Sequence, residues 1–254
     1  MQDLKKYQES IKGFNTKDLI KWALKEFGYD KLLLASSLGA EDQVLTKMML
    51  QENSRSRIFT LDTGRQFQEN YDVMQASQEK YSFAYELCFP DPTEVQNLVK
   101  VKGPNLFRKS IEDRKACCEV RKMTPLRKKL TTADCWITGL RSGQSITRGD
   151  MQAIEWDENF GLYKINPLIL WSEEDVWDLI KSESIPYNKL HDQGFPSIGC
   201  APCTRAIEPG QDIRSGRWWW EMPDQKECGL HFVDGKMLRT KDLPIDHPEH
   251  HSNQ

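Results

Sequence analysis

Four of the chain's seven cysteines come as two pairs, Cys117 with Cys118 in KACCEVRK and Cys200 with Cys203 in IGCAPCTR. Four thiolates delivered this way suit a tetrahedral sulfur site. The pairs lie far apart in sequence, so one shared site would close a long loop, and any fold must bring the two segments together. Zinc accepts a Cys-x-x-Cys readily, whereas two adjacent cysteines approach a single ion awkwardly. A cubane is larger, and its irons can be reached by neighbouring side chains that point in different directions. A [4Fe-4S] cluster is the expected cofactor, with zinc or no metal as the alternatives.

Charge is local rather than global. A net charge of -3 over 254 residues gives no general case for nucleic acid. Around the tandem cysteines, however, Arg114, Lys115, Arg121, Lys122, Arg127, Lys128 and Lys129 are opposed mainly by Glu119. The later lysines read as a solvated helix face. Lys122, four residues after Cys118, would share its helical face and answer the negative charge of a thiolate-bound cluster.

No stretch approaches the roughly 18 apolar residues of a membrane span, and the start MQDLKKYQES lacks the apolar core of a signal peptide. A cytoplasmic location is expected, where the odd cysteine count and the pair spacing favour reduced thiols. Cys88 in YELCFP and Cys135 in DCWITGL sit in apolar runs and are expected to pack in the core.

Strands followed by helices organise the chain. KLLLASS (31–37) is a short apolar run that ends in small polar residues and Gly39, with a helical pattern through Val44, Leu45, Met48 and Met49 behind it. RIFTLDTG (57–64) repeats the plan, with a helix over 66–80, and SFAYELCFP, CWITGLRS and LYKINPLIL supply further strands. Ser172 with Asp175 predicts a capped helix that turns Val176, Trp177 and Ile180 inward. The alternation implies an α/β fold, a mainly parallel sheet flanked by helices, with the active site at the carboxyl ends of its strands. Residues 1–204 read as that domain. Residues 205–254, rich in Pro, Gly, Trp and charge, read as a C-terminal arm. In this arm Trp218, Trp219 and Trp220 have three readings: packing over the cleft, packing against another subunit, or core.

Two junctions stand where such a sheet binds ligands. In SSLGAED (36–42) small residues let an anion approach the amides of the helix start, Ser36 and Ser37 add hydroxyl donors, and Glu41 and Asp42 are placed to cap the helix or hold a metal. No Gly-Lys-Ser/Thr follows, so this is not a Walker loop, and a plain tight turn stays an alternative. LDTG (61–64) presents backbone groups at the same sheet edge and is placed to read an adenine ring.

With the tail added, SSLGAED, LDTGRQF, KACCEVRK, TGLRSGQS, GCAPCTR and KECGLH (226–231) together resemble the adenylyl-sulfate / phosphoadenylyl-sulfate reductase family in its cluster-containing branch. The resemblance runs in order from residue 36 to residue 231. It implies the adenine nucleotide α-hydrolase-like fold. Pyrophosphatase members of that fold carry a Ser-Gly-Gly-x-Asp loop. SSLGAED departs from it as the reductases do, which implies an activated sulfate nucleotide as ligand and no cleavage of ATP.

The resemblance also implies a division of labour. Cys117, Cys118, Cys200 and Cys203 would ligate the cluster. Substrate would be held by Ser36, Ser37, Gly39, Asp42, Leu61, Thr63, Gly64, Lys122, Arg141, Arg214, Arg217 and His231, with Arg148 left unassigned. Cys228, outside both pairs and near Lys226 and His231, is the implied nucleophile, since a thiolate is the reactive form and nearby cations favour it. It would attack the sulfur of adenylyl sulfate, expel AMP and carry an S-sulfocysteine, from which thioredoxin or a similar dithiol releases sulfite. The arm would act as a lid whose order depends on ligand. Adenylyl sulfate is expected over its 3'-phosphorylated form, in a homo-oligomer without nucleic-acid or membrane partners. A dual-substrate enzyme, a transfer-RNA thiolation enzyme and a zinc-stapled non-catalytic module are the rival readings.

Overall fold

The structure, a computed structural model, describes residues 2–144 and 151–222. Its sheet is built from β1 (Leu32–Ser36), β2 (Arg57–Leu61), β3 (Glu86–Cys88), β4 (Cys135–Ile137), β5 (Ile154–Asp157) and β6 (Leu162–Ile165), in the spatial order β3-β2-β1-β4-β6-β5. Every neighbouring pair is parallel except β5 with β6. The expected mainly parallel α/β sheet is therefore present. The antiparallel β5 at one edge was not anticipated, because IEWD is short and carries two charges.

Helices α1 (Gln2–Ser10), α2 (Thr16–Phe27), α3 (Ala40–Glu52), α4 (Gln68–Tyr81), α5 (Pro92–Lys102), α6 (Ile111–Cys118), α7 (Thr124–Leu130) and α8 (Glu173–Ser182) complete the described elements, with short 3-10 turns between some of them. Leu32 and Leu34 of β1 enter one core with Ile20, Val44, Leu45 and Ile180, while Leu33 enters a second core with Phe59, Leu126, Leu130 and Trp136. Both faces of β1 are thus covered, which is why it reads as an unbroken apolar run rather than an alternation. At α8 the expected capping box forms between Ser172 and Asp175. Val176 and Ile180 are buried below it and Trp177 is half-buried. Cys135 is fully buried, whereas Cys88 is half-buried on the edge strand β3. Among the described residues no helix is long and apolar enough to cross a membrane.

α6 and α7 are joined by a π-helical segment, Glu119–Met123, and the backbone stays in the right-handed helical region at both joints. Wide turns of this kind cost hydrogen-bond geometry and tend to sit at functional sites. This one follows directly on the tandem cysteines. The turn between Cys118 and Lys122 is this wider one rather than the ordinary helical turn expected, and both residues line one cavity.

Strand order reverses between β1 and β4. β1 leads through α3 to β2 on one side, while β4 lies on its other side, and the loops after the two strands diverge. Such a switch point leaves a crevice at the carboxyl ends, where α/β proteins of this kind bind ligands.

Candidate active site

The loop after β1 is shaped by its own polar groups. Ser37 donates to Asp42 Oδ2 from both its backbone N–H and its hydroxyl, each at 2.6 Å, and the Leu38 N–H donates to Ser36 Oγ at 3.2 Å. Asp42, in the first turn of α3, therefore ties the β1 loop back onto the helix. Leu38 is buried in the left-handed conformation (φ 65°), at a place where a glycine would be unstrained. Burial pushes the Asp42 carboxyl up to about 6 against the opposing Ser37 hydrogen bonds. The turn after β4 presses on the same point. A Cβ at Gly139 would collide with Asp42 Oδ1, so only glycine lets the two loops meet. Arg141, two residues on, donates from Nε to Glu41 Oε1 at 2.8 Å.

The loop after β2 is tied to both cysteine segments through one residue. Thr63 Oγ1 lies 3.2 Å from Cys200 Sγ, and its carbonyl accepts from Arg121 Nη1 at 2.7 Å. Ala201 N–H adds a bond to the Arg65 carbonyl at 2.8 Å. Gly64 supplies the turn with φ 72°, its N–H donating to Asp62 Oδ1 at 2.8 Å, and the Leu61 carbonyl accepts from Gln66 Nε2 at 2.9 Å.

The two cysteine pairs come together. Cys117 and Cys203 are buried and Cys118 and Cys200 half-buried in one cluster with Leu106, Phe107 and Trp218, all four as free thiols. Burial and the neighbouring cysteines push Cys203 up to about 12 while Arg217 opposes. Cys117 is raised mainly by burial and eased by Arg121. Among the described residues no three His, Cys, Asp or Glu side chains converge tightly enough for a lone metal ion. Four cysteine thiols lining one pocket are a donor set of the kind that an iron–sulfur cluster or a zinc ion takes.

A cavity of about 360 Å³ joins these parts, within the usual range for small-molecule sites. Of the residues expected to bind substrate, Ser36, Ser37, Gly39, Asp42, Leu61, Thr63, Lys122, Arg214 and Arg217 line it, together with all four paired cysteines. Gly64 and Arg141 are not in its wall. One shapes the turn and the other holds Glu41. Cys228, His231 and Arg148 lie outside the described residues.

Several wall residues were not among those expected to bind substrate. Arg65, Arg114, Arg121, Gly139 and His191 all line the cavity. Arg121 could have been found in KACCEVRK, where it stands beside Lys122; His191 carried no local signal. Of the readings for the three tryptophans, core packing holds for Trp218 and Trp220. Trp218 is buried against the cysteines, its N–H donating to the Cys203 carbonyl at 3.1 Å, and Trp220 packs on Phe107.

A parallel sheet with reversed strand order, and a nucleotide-sized cleft at its switch point, place the chain in the adenine nucleotide α-hydrolase-like fold. The chain belongs to the phosphoadenosine phosphosulfate reductase domain family, whose pattern matches residues 31–206. It is 50% identical over 202 residues to the adenosine 5'-phosphosulfate reductase of Allochromatium vinosum, covering 80% of this chain and 79% of that one. Against the enzyme of the same name from Burkholderia cepacia it is 46% identical, covering 81% and 82%. A solved phosphoadenylyl-sulfate reductase from Candida auris superimposes with a TM-score of 0.68 at 22% identity, covering 82% of this chain and 97% of that one.

Proposed function

We propose that the chain is an adenylyl-sulfate reductase, converting adenylyl sulfate to AMP and sulfite in the cytoplasm with two electrons from thioredoxin or a similar dithiol. One observation carries the reading: a single cavity at the sheet's switch point is lined at once by the β1 and β2 loops, four gathered cysteines and a set of arginines and lysines. The relatives with 50% and 46% identity, both named for adenosine 5'-phosphosulfate, favour the nucleotide without a 3'-phosphate.

In this scheme the amides at the start of α3 and the side chains of Lys122, Arg214 and Arg217 hold the phosphosulfate. As charge moves onto the departing phosphate, these cations stabilise it. The Cys228 thiolate forms a bond to sulfur while the sulfur–oxygen bond to AMP breaks. One thiolate of the dithiol then attacks Cys228 sulfur and releases sulfite, and its second thiol frees Cys228 by closing a disulfide. The thiols move both electrons. Cys117, Cys118, Cys200 and Cys203 would hold a [4Fe-4S] cluster, which supplies electrostatic and architectural support beside the anion rather than an electron relay. Arg121 and Thr63 already stitch its surroundings to the β2 loop.

Turnover of adenylyl sulfate and of its 3'-phosphorylated form, with the same dithiol donor, tests the substrate. Cys228→Ser should abolish sulfite release and leave AMP binding intact; sulfite release at the normal rate would remove the nucleophile. Absorption near about 400 nm with iron and sulfide analysis tests the cofactor, and a colourless protein holding only zinc would exclude it.

A further inference from the structure

Among the described residues the buried Nε2 of His191 has no hydrogen-bond partner, although the ring lines the cavity. Its setting is firmly built. The ring meets Trp177 edge to face at 5.3 Å and 81°. Its 3-10 turn, Lys189–Gln193, is pinned by Asn188, which accepts from Leu190 N–H at 3.0 Å and donates from Nδ2 to Asn70 Oδ1 at 2.8 Å. A held side chain whose buried nitrogen the protein leaves unused calls for a partner from outside.

The chemistry of that partner follows from the proton. The Phe195 backbone beside the ring favours a proton on it. With the proton on Nδ1, Nε2, the unpartnered atom, presents a lone pair to the cavity. Burial holds the imidazole neutral. A nitrogen that offers a lone pair and feels the negative charges of Glu41, Asp192 and Glu173 is met by a neutral donor rather than by a phosphate or sulfate oxygen. The anionic half of the ligand belongs with Arg121, Lys122 and Arg217 elsewhere in the cavity. On the adenylyl-sulfate reading, on which this step rests, the other half is a nucleoside whose only hydrogen-bond donors are the adenine amine and the ribose hydroxyls.

We infer that His191 is a specificity-determining residue that reads the nucleoside half of the substrate, its Nε2 accepting a hydrogen bond from the adenine amine or a ribose hydroxyl. The missing partner in the wall is thereby supplied by the ligand, and a nucleotide lacking that donor leaves the nitrogen buried and unpaired.

Calorimetric titration of the full chain with AMP, purine riboside 5'-monophosphate, 2'-deoxy-AMP and 3'-deoxy-AMP separates the sources. One of the three analogues should bind about ten-fold more weakly than AMP, which identifies the donor. His191→Phe keeps a ring against Trp177 and should weaken AMP by a similar factor while leaving the affinity of that analogue unchanged. His191→Gln, whose amide oxygen can stand near the Nε2 position, should recover part of the loss. Unchanged AMP affinity in His191→Phe, or equal weakening of AMP and all three analogues, overturns the inference. Should the phenylalanine variant fail to fold, His191→Asn, whose shorter amide cannot reach the same point, takes its place in the same comparison. Absence of AMP binding by the unaltered chain would instead overturn the adenylyl-sulfate reading, and this inference with it.

Discussion

Arg114 grips Glu221 through two parallel hydrogen bonds, Nε to Oε1 at 3.0 Å and Nη2 to Oε2 at 2.8 Å. The partners stand 107 positions apart and their side chains are 1% and 5% exposed. The same guanidinium lies over the Trp218 ring at 4.5 Å, so α6, which carries the tandem cysteines, is bolted to residues 218–221. Removing one member breaks this buried pair, and Glu221→Ala should cost about 3–5 kcal/mol in denaturant unfolding. Replacing both, as Arg114→Met with Glu221→Leu, should recover most of that loss. A double variant as unstable as the sum of its singles would show that the charges themselves stabilise the fold.

Gly199 is required by a neighbour rather than by its own backbone. A Cβ there would run into the Arg217 guanidinium, which otherwise lies over Trp218 and faces the cavity. Gly199→Ala should therefore displace Arg217 and raise the KM for the sulfate nucleotide about ten-fold or more, with a smaller effect on unfolding. Gly143, whose Cβ would meet open space, supplies the matched control, Gly143→Ala. Identical kinetics in the two variants would dissociate Arg217 from substrate binding.

Asp42 gives a pH signature. Folding raises its carboxyl from 3.8 to about 6, chiefly through burial. Above about pH 6 both folded and unfolded chains hold it ionised, and the fold bears the full desolvation cost, on the order of 3 kcal/mol for a shift of this size. As pH falls from about 6 to about 4 the folded chain takes up the proton first, and the cost fades. Asp42→Asn should thus gain stability over the parent chain near pH 7.5 and little near pH 4. A difference that stayed flat across this range would contradict the raised carboxyl.

What could be read in advance, and what could not, follows from the range of each interaction. β1, β2, β4 and β6 and the α8 cap were legible because local patterning fixes them: Leu32, Leu33 and Leu34 announce a strand covered on both faces, and Ser172 announces a helix start. The cysteine site was legible because the pairs carry their own spacing. Arg114 reads in sequence only as one of the basic residues around the tandem cysteines, since its partner Glu221 lies far along the chain and nothing local marks either as buried. His191 was equally silent, because its position depends on Asn188 meeting Asn70 across 118 residues. The Glu119–Met123 segment shows no breaker residue, so an ordinary helix was the natural reading and Lys122 drew attention that Arg121 shares.

That segment sets a phase relationship between two halves of the molecule. Ahead of it Cys117 points into the sulfur cluster, and behind it Leu126 and Leu130 point into the core under the sheet. Because one turn of the widened coil takes up about one residue more than a regular turn, the segment absorbs an extra residue while keeping both sets of side chains on target. A regular helix with the same number of residues would swing the leucines by roughly 100° relative to the thiols, so the geometry of the cysteine cluster and the packing under the sheet are constrained to change together.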